Sequence, residues 1–138
     1  MEGNKTLSRP FKPIPLEVEA IGKKVLDAAY MVHNALGPGL LESVYEACLT
    51  HELQHQGVHV ETQVSVPVQY QSVQIETGLR LDLWVEKLVI VELKSVAAMP
   101  SLFDAQLLTY LKVTRCRLGY LINFNVRHLK DGIRRMVL

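Results

Sequence analysis

The stretch from Leu88 to Val96 reads LVIVELKSV, an apolar run interrupted by charge only at Glu92 and Lys94. A run apolar on both faces predicts a strand covered on both sides, and so a sheet with helices packed against each face. Residues two apart on a strand project from the same face, which places Glu92 and Lys94 side by side. An unpaired buried charge is expensive, so something must compensate them. The preceding segment, Gly78 to Val85, supplies Asp82 among Leu81, Leu83 and Trp84. Only Glu86-Lys87 separates the two strands, short enough for a hairpin although it lacks the glycine or asparagine that tight turns prefer. Such a hairpin brings Asp82 within cross-strand reach of Glu92.

The rest of the chain supplies the covering layers. From Leu16 to Leu36 apolar residues recur at Val18, Ile21, Val25, Ala28, Ala29 and Val32, which is helical spacing. Gly37-Pro38-Gly39 ends that helix. A second helix is predicted from Leu40 to Gln56 with Leu41, Tyr45, Leu49 and Leu53 on one stripe, capped by Gly57. Val58 to Tyr70 changes to a period of two, a half-buried strand in which Pro67 marks an edge or a break. Val73 and Ile75 continue it after a turn. Pro100 and Ser101 open a third helix running to Thr114, Arg117 to Phe124 forms a last strand, and Leu129 to Val137 is expected to close the chain as a short helix. The order predicts one mixed sheet flanked by helices over residues 17–138, preceded by a mobile proline-containing tail at 1–16 that docks through Phe11 or Ile14.

With 138 residues, one domain with a core of its own is expected. Net charge is +1, so affinity for a polyanion would have to come from a local patch or a bound metal. Cys48 and Cys116 stand at no metal or redox spacing and predict reduced, buried thiols in a cytoplasmic protein. No apolar run approaches the roughly 20 residues of a membrane span, and no export signal opens the chain, so no membrane association is expected.

Two carboxylates converging from neighbouring strands suit a hard divalent cation such as magnesium or manganese. A lysine beside them can orient or deprotonate a metal-bound water, or stabilise charge developing on a phosphate. Metal-assisted phosphodiester hydrolysis needs this set. The plainer reading is a structural ion pair at a strand end, which the bare spacing admits as readily.

Asp82 together with Glu92-Leu93-Lys94 resembles the PD-(D/E)XK nuclease superfamily. Gly39-Leu40-Leu41-Glu42-Ser43-Val44-Tyr45 is similar to the signature of its GxxExxY proteins. The likeness continues through LRLDLWV, VIVELKSV, AQLLTYLK and LGYLINFNV, from about Ile21 to the C-terminus. The resemblance implies an α/β fold with a restriction-endonuclease-like core of a helix, three strands, a helix and a strand. It also implies a magnesium- or manganese-dependent nuclease acting on nucleic acid, DNA in the first instance, with a homodimer as one arrangement for cutting two strands. Asp82 and Glu92 would bind metal with the Leu93 carbonyl, and Glu42 would complete the set through water. Lys94 would be the catalytic lysine, and Gln106 and Tyr110, one helical turn apart, would face the site and the DNA. The chain departs from the pattern at Leu81, where the superfamily's name has proline. It departs again at Leu102, Phe103 and Asp104, where many relatives carry a histidine.

Late basic residues, Lys112, Arg115, Arg117, Arg127, Lys130, Arg134 and Arg135, would make a phosphate-contacting stripe if they converge, with Lys112 and Arg115 nearest in sequence to Gln106. Solvated faces account for the scatter equally well. His51-Glu52-Leu53-Gln54-His55 spells the HExxH zinc-protease motif on a predicted helix. It lacks a third ligand at the required offset, and a solvated helix flank explains both histidines. A non-catalytic nucleic-acid-binding or assembly module on the same fold is the remaining alternative.

Overall fold

A computed structural model of the chain describes residues 12–138. The expected tail, Phe11 included, therefore lies outside the described residues up to position 11. Within 12–15, Ile14 is buried in the core and the Lys12 carbonyl accepts a hydrogen bond from Arg117.

The element order is α1 (Leu16–Leu36), α2 (Glu42–His55), β1 (Val60–Tyr70), β2 (Val73–Val85), β3 (Val89–Lys94), α3 (Leu102–Thr114), β4 (Leu118–Asn123), a 3-10 turn (Leu129–Gly132) and β5 (Ile133–Val137). The five strands form one sheet in the order β1-β2-β3-β4-β5. The β3–β4 pair is parallel and the other three pairs are antiparallel, so the sheet is mixed. As the pattern of LVIVELKSV requires, β3 is the central strand. Val89, Val91 and Leu93 join the cluster beneath α1 and α2, while Ile90 joins the cluster beneath α3.

Helix α1 buries Val18, Val25, Ala28, Ala29 and Val32 along the expected stripe. Gly37 and Gly39 both take left-handed φ values (69° and 98°), which a side chain would resist, and so turn the chain into α2. Tyr45 fixes this turn from below. Its hydroxyl donates to the Gly37 carbonyl at 2.6 Å and accepts the Leu40 N–H, and its ring stacks on Phe124 at 4.4 Å. The tyrosine of the GxxExxY pattern is thus a core residue with its hydroxyl satisfied. Leu41, expected on the buried stripe, is 73% exposed because α2 begins only at Glu42 and Leu41 precedes the helix.

Pro67 marks both features expected of it. Strand β1 is an edge strand, and its register against β2 shifts between Val66 and Val68. The hairpin between β2 and β3 forms without glycine or asparagine. Glu86 and Lys87 both sit at left-handed φ (52° and 53°), and local contacts compensate the strain: the Glu86 carboxylate accepts the His59 N–H at 2.7 Å, and Lys87 lies over the Trp84 ring.

The C-terminal expectation is overturned. The segment from Leu129 to Val137 is a 3-10 turn followed by a strand that pairs antiparallel with β4 from Ile122↔Ile133 to Leu118↔Val137. Five residues cannot sustain a helix unaided, and the open edge of β4 offers a ladder of backbone hydrogen bonds. Gly132 makes the approach possible, since a Cβ there would lie 2.1 Å from the Asn123 carbonyl oxygen. Gly132→Ala is accordingly expected to destabilise the protein by about 3 kcal/mol or more, since a backbone atom cannot rotate aside. A urea titration showing less than about 1 kcal/mol would contradict this close approach.

Candidate active site

Strands β2 and β3 pair from Val85↔Val89 to Leu83↔Val91 and then part. Beyond that point one N–H on each strand, of Asp82 and of Leu93, loses its ladder partner, and a carboxylate supplies the missing acceptor. The Asp82 N–H donates to Glu92 Oε1 at 3.0 Å, and the Leu93 N–H donates to Asp82 Oδ2 at 2.8 Å. Each acid therefore braces the other strand of the fork. The strand alternation also breaks here. Leu81 and Leu83 should share a face, yet Leu83 packs under α1 and α2 and Leu81 under α3. This local twist turns Asp82 towards the open end of the sheet.

Glu92 is 5% exposed. Burial, and next the Asp82 carboxylate, push its pKa from 4.5 up to about 8, against smaller opposing effects that include the Lys94 charge. Lys94, half-buried on the same face, holds its Nζ 4.3 Å from the centroid of the Phe103 ring. Phe103 lies in the segment where the chain departs from the histidine of the resembling pattern, and here it seats the lysine by a cation–π contact. Asp104 turns away to pair with Arg134 at 2.9 Å. From α3, Tyr110 faces the acids. Burial first, then the charges of Glu92 and Asp82, raise its pKa, while a hydrogen bond with Gln106 works the other way.

On the other side of the fork a cleft of about 380 Å³ is lined by Glu42, Ser43 and Glu46 of α2 with Gln63, Asp82 and Leu93. Glu42 stands at the start of α2, exposed, its Oε1 receiving the Ser95 N–H at 3.3 Å. Asn123, buried at the end of β4, takes the N–H groups of Val96 and Asn125 and donates to the Val96 carbonyl, which fixes the chain just beyond Lys94.

The fold thus gathers Asp82, Glu92, Leu93, Lys94, Glu42, Gln106 and Tyr110 around one end of the sheet. It does not bring Arg115 there. The C-terminal end of α3 leads through Cys116, which contacts Trp84 and Lys87, to Leu118 opposite Val89. That is five residues along β3 from Lys94, on the order of 17 Å away. Of the other late basic residues, Arg134 pairs with Asp104, Arg135 with Glu19, and Arg117 with the carbonyls of Lys12 and Leu138. Their positive charge is partly spent on holding the fold. Three residues of the site, Glu46, Gln63 and Asn123, escaped the sequence reasoning. Glu46 was within reach of it, one helical turn from Glu42 and so on the same face; nothing in the alternation of β1 marks Gln63.

A family model of the PD-(D/E)XK nuclease superfamily matches residues 19–136. The chain belongs to that superfamily. No curated protein and no solved structure matches it at a significant level. The mixed five-stranded sheet with helices on both faces is the restriction-endonuclease-like architecture of PD-(D/E)XK proteins. PD-(D/E)XK nucleases generally use divalent metals, and the donor set here fits one. Carboxylate and carbonyl oxygens are hard ligands, and Asp82 and Glu92 bring their carboxylates together at the fork. Among the described residues no three His, Cys, Asp or Glu side chains converge to hold an ion by themselves. A cation there would complete its shell with backbone carbonyl and water, as magnesium commonly does.

The HExxH residues lie elsewhere on α2. His51 and His55 are exposed with rings stacked 6.3 Å apart, and Glu52 lines an apolar groove against α1. Among the described residues no further ligand joins them. Both cysteines are free, Cys116 buried and Cys48 partly so, and no described helix is long and apolar enough to cross a membrane.

Proposed function

We propose that this PD-(D/E)XK protein is a magnesium- or manganese-dependent nuclease of the GxxExxY group that hydrolyses phosphodiester bonds in nucleic acid, with DNA as the first substrate to test. The observation that carries the proposal is the fork. Two acids brace each other's strand at the point where β2 and β3 part, with Lys94 beside them. Asp82 and Glu92 would hold the metal, with the Leu93 carbonyl as a further donor and Glu42 assisting through water. When bound, the metal supplies Lewis acidity to the phosphate and lowers the pKa of a water molecule. Lys94 would orient the attacking water, accept its proton or offset the charge developing on the phosphate. Gln106 and Tyr110, on the adjoining face of α3, position the water or the substrate. Lys112 and Arg115 contact nucleic acid only if the strand runs the length of α3. Cutting both strands of a duplex calls for a second copy, and the free thiols suit a reducing cytoplasm.

The test is a panel of labelled DNA and RNA substrates, single-stranded, duplex and branched, incubated with magnesium or manganese. Wild type, Lys94→Ala and an EDTA control run side by side. Metal-dependent cutting by the wild type alone supports the nuclease and identifies its substrate. The alternative, a binding or assembly module on the same fold, draws on the internal pairing of Arg117, Arg134 and Arg135, which commits these three charges to the fold. Binding without cutting on every substrate would decide for it.

A further inference from the structure

Gln63 lies in the middle of β1 with φ +51°, a left-handed conformation that a glutamine has no intrinsic reason to adopt within a strand. Its residue number falls between two regular ladder pairs, Thr62↔Leu83 and Val64↔Leu81, directly across from Asp82. The conformation swings its carboxamide out of the alternation and over the cleft. There its Nε2 donates to Glu46 Oε1 on α2 at 2.5 Å and to Asp82 Oδ1 on β2 at 3.3 Å. Both neighbours are carboxylates, which accept only, so the amide nitrogen and not its oxygen must face them. Asp82 is thereby held from two directions, by the Leu93 N–H on Oδ2 and by Gln63 on Oδ1.

We infer that Gln63 is a positioning residue for the metal site: it ties Asp82 to Glu46 of α2 and fixes the carboxylate in the orientation that binds the cation. The inference rests on the metal-dependent reading of the fork. Gln63 need not touch the metal or the substrate. A ligand whose orientation is fixed beforehand binds more tightly than one that must be ordered on binding, and losing such a partner typically costs about 10- to 100-fold in metal affinity. The backbone strain at position 63 is the counterpart of that placement, because a relaxed strand would keep the amide in the regular alternation between the two faces of the sheet.

Two substitutions separate positioning from packing. Asparagine and glycine both accept left-handed φ more readily than glutamine, so Gln63→Asn and Gln63→Gly relieve strain and should leave the melting temperature unchanged or slightly higher. Neither can bridge the acids: asparagine is shorter by one methylene, about 1.5 Å, and glycine has no amide. Manganese binding measured by calorimetry on the full chain should weaken by about 10- to 100-fold in both variants. The metal concentration for half-maximal cleavage should rise by a similar factor, with kcat at saturating metal little changed. Unaltered manganese affinity in both overturns the inference, as does weakening confined to a variant that has lost its fold. A wild type that binds no manganese would instead bring down the metal-dependent reading itself, and the inference with it.

Discussion

Asp82→Ala is expected to abolish both metal binding and cleavage, whereas Lys94→Ala should abolish cleavage and leave metal binding largely intact. The split follows from the geometry of the fork. Asp82 contributes an oxygen to the cleft and at the same time braces the Leu93 N–H, so its removal takes away a ligand and loosens the carbonyl beside it. Lys94 brings positive charge, which cannot ligate a cation; removing it slightly favours metal binding on electrostatic grounds. Its loss withdraws the group that handles the attacking water, worth about 10²- to 10⁴-fold in rate for a positioned acid or base. Its contact with Phe103 is a part-exposed cation–π pair of about 0.5–1 kcal/mol, so the variant should remain folded. Calorimetry with manganese and cleavage of the best substrate from the panel measure the two effects separately. Equal metal affinity in wild type and Asp82→Ala would sink the assignment of Asp82 as ligand.

Glu92→Gln is expected to stabilise the metal-free protein at alkaline pH and to do little at acid pH. The pKa of Glu92 is raised from 4.5 to about 8 by burial first and by Asp82 second. Below pH 4.5 the group is protonated in both folded and unfolded chains and contributes no difference. Between 4.5 and 8 the unfolded chain gives up its proton while the folded chain keeps it, so stability falls as pH rises. Above 8 the whole deficit is present. A displacement of this size corresponds to something on the order of 5 kcal/mol. Glutamine retains an oxygen for the Asp82 N–H and carries no charge, so the deficit disappears. Urea titrations in EDTA at pH 5 and pH 8.5 should show the gap between variant and wild type opening with pH. Divalent metal added at pH 8.5 should close it by stabilising the wild type alone. A gap independent of pH would mean that Glu92 ionises as an ordinary surface acid.

The two predictions concern neighbouring acids, yet they differ in kind. Asp82 lines the cleft, while Glu92 beside it is almost wholly buried. That difference could not be read from an Asp and a Glu ten residues apart. The placement of both on adjacent strands could be, because the alternation and the short connection at Glu86-Lys87 leave a hairpin as the only economical arrangement. The closing segment shows where local reading fails. IRRMV carries no decisive period in five residues, and the open edge of β4 settled its conformation. Leu41 failed for a related reason, since a helical stripe cannot be extrapolated past a start that the following tertiary contacts choose.

By itself the sequence determined the central buried strand, the charged pair upon it, the hairpin that brings Asp82 alongside, and the helices that cover both faces. These follow from the period of apolar residues and the cost of burying charge, which act over a few residues and leave their mark in order along the chain. Only the tertiary structure decided that the strands part beyond Leu83 and Val91, and that the acids then cap each other's backbone. It alone placed Lys94 on Phe103, carried Arg115 towards the far end of β3, and drew Gln63 out of its strand to join Glu46 and Asp82. Each of these joins residues distant in sequence through side-chain reach and local twist, quantities fixed only once the sheet and helices have packed.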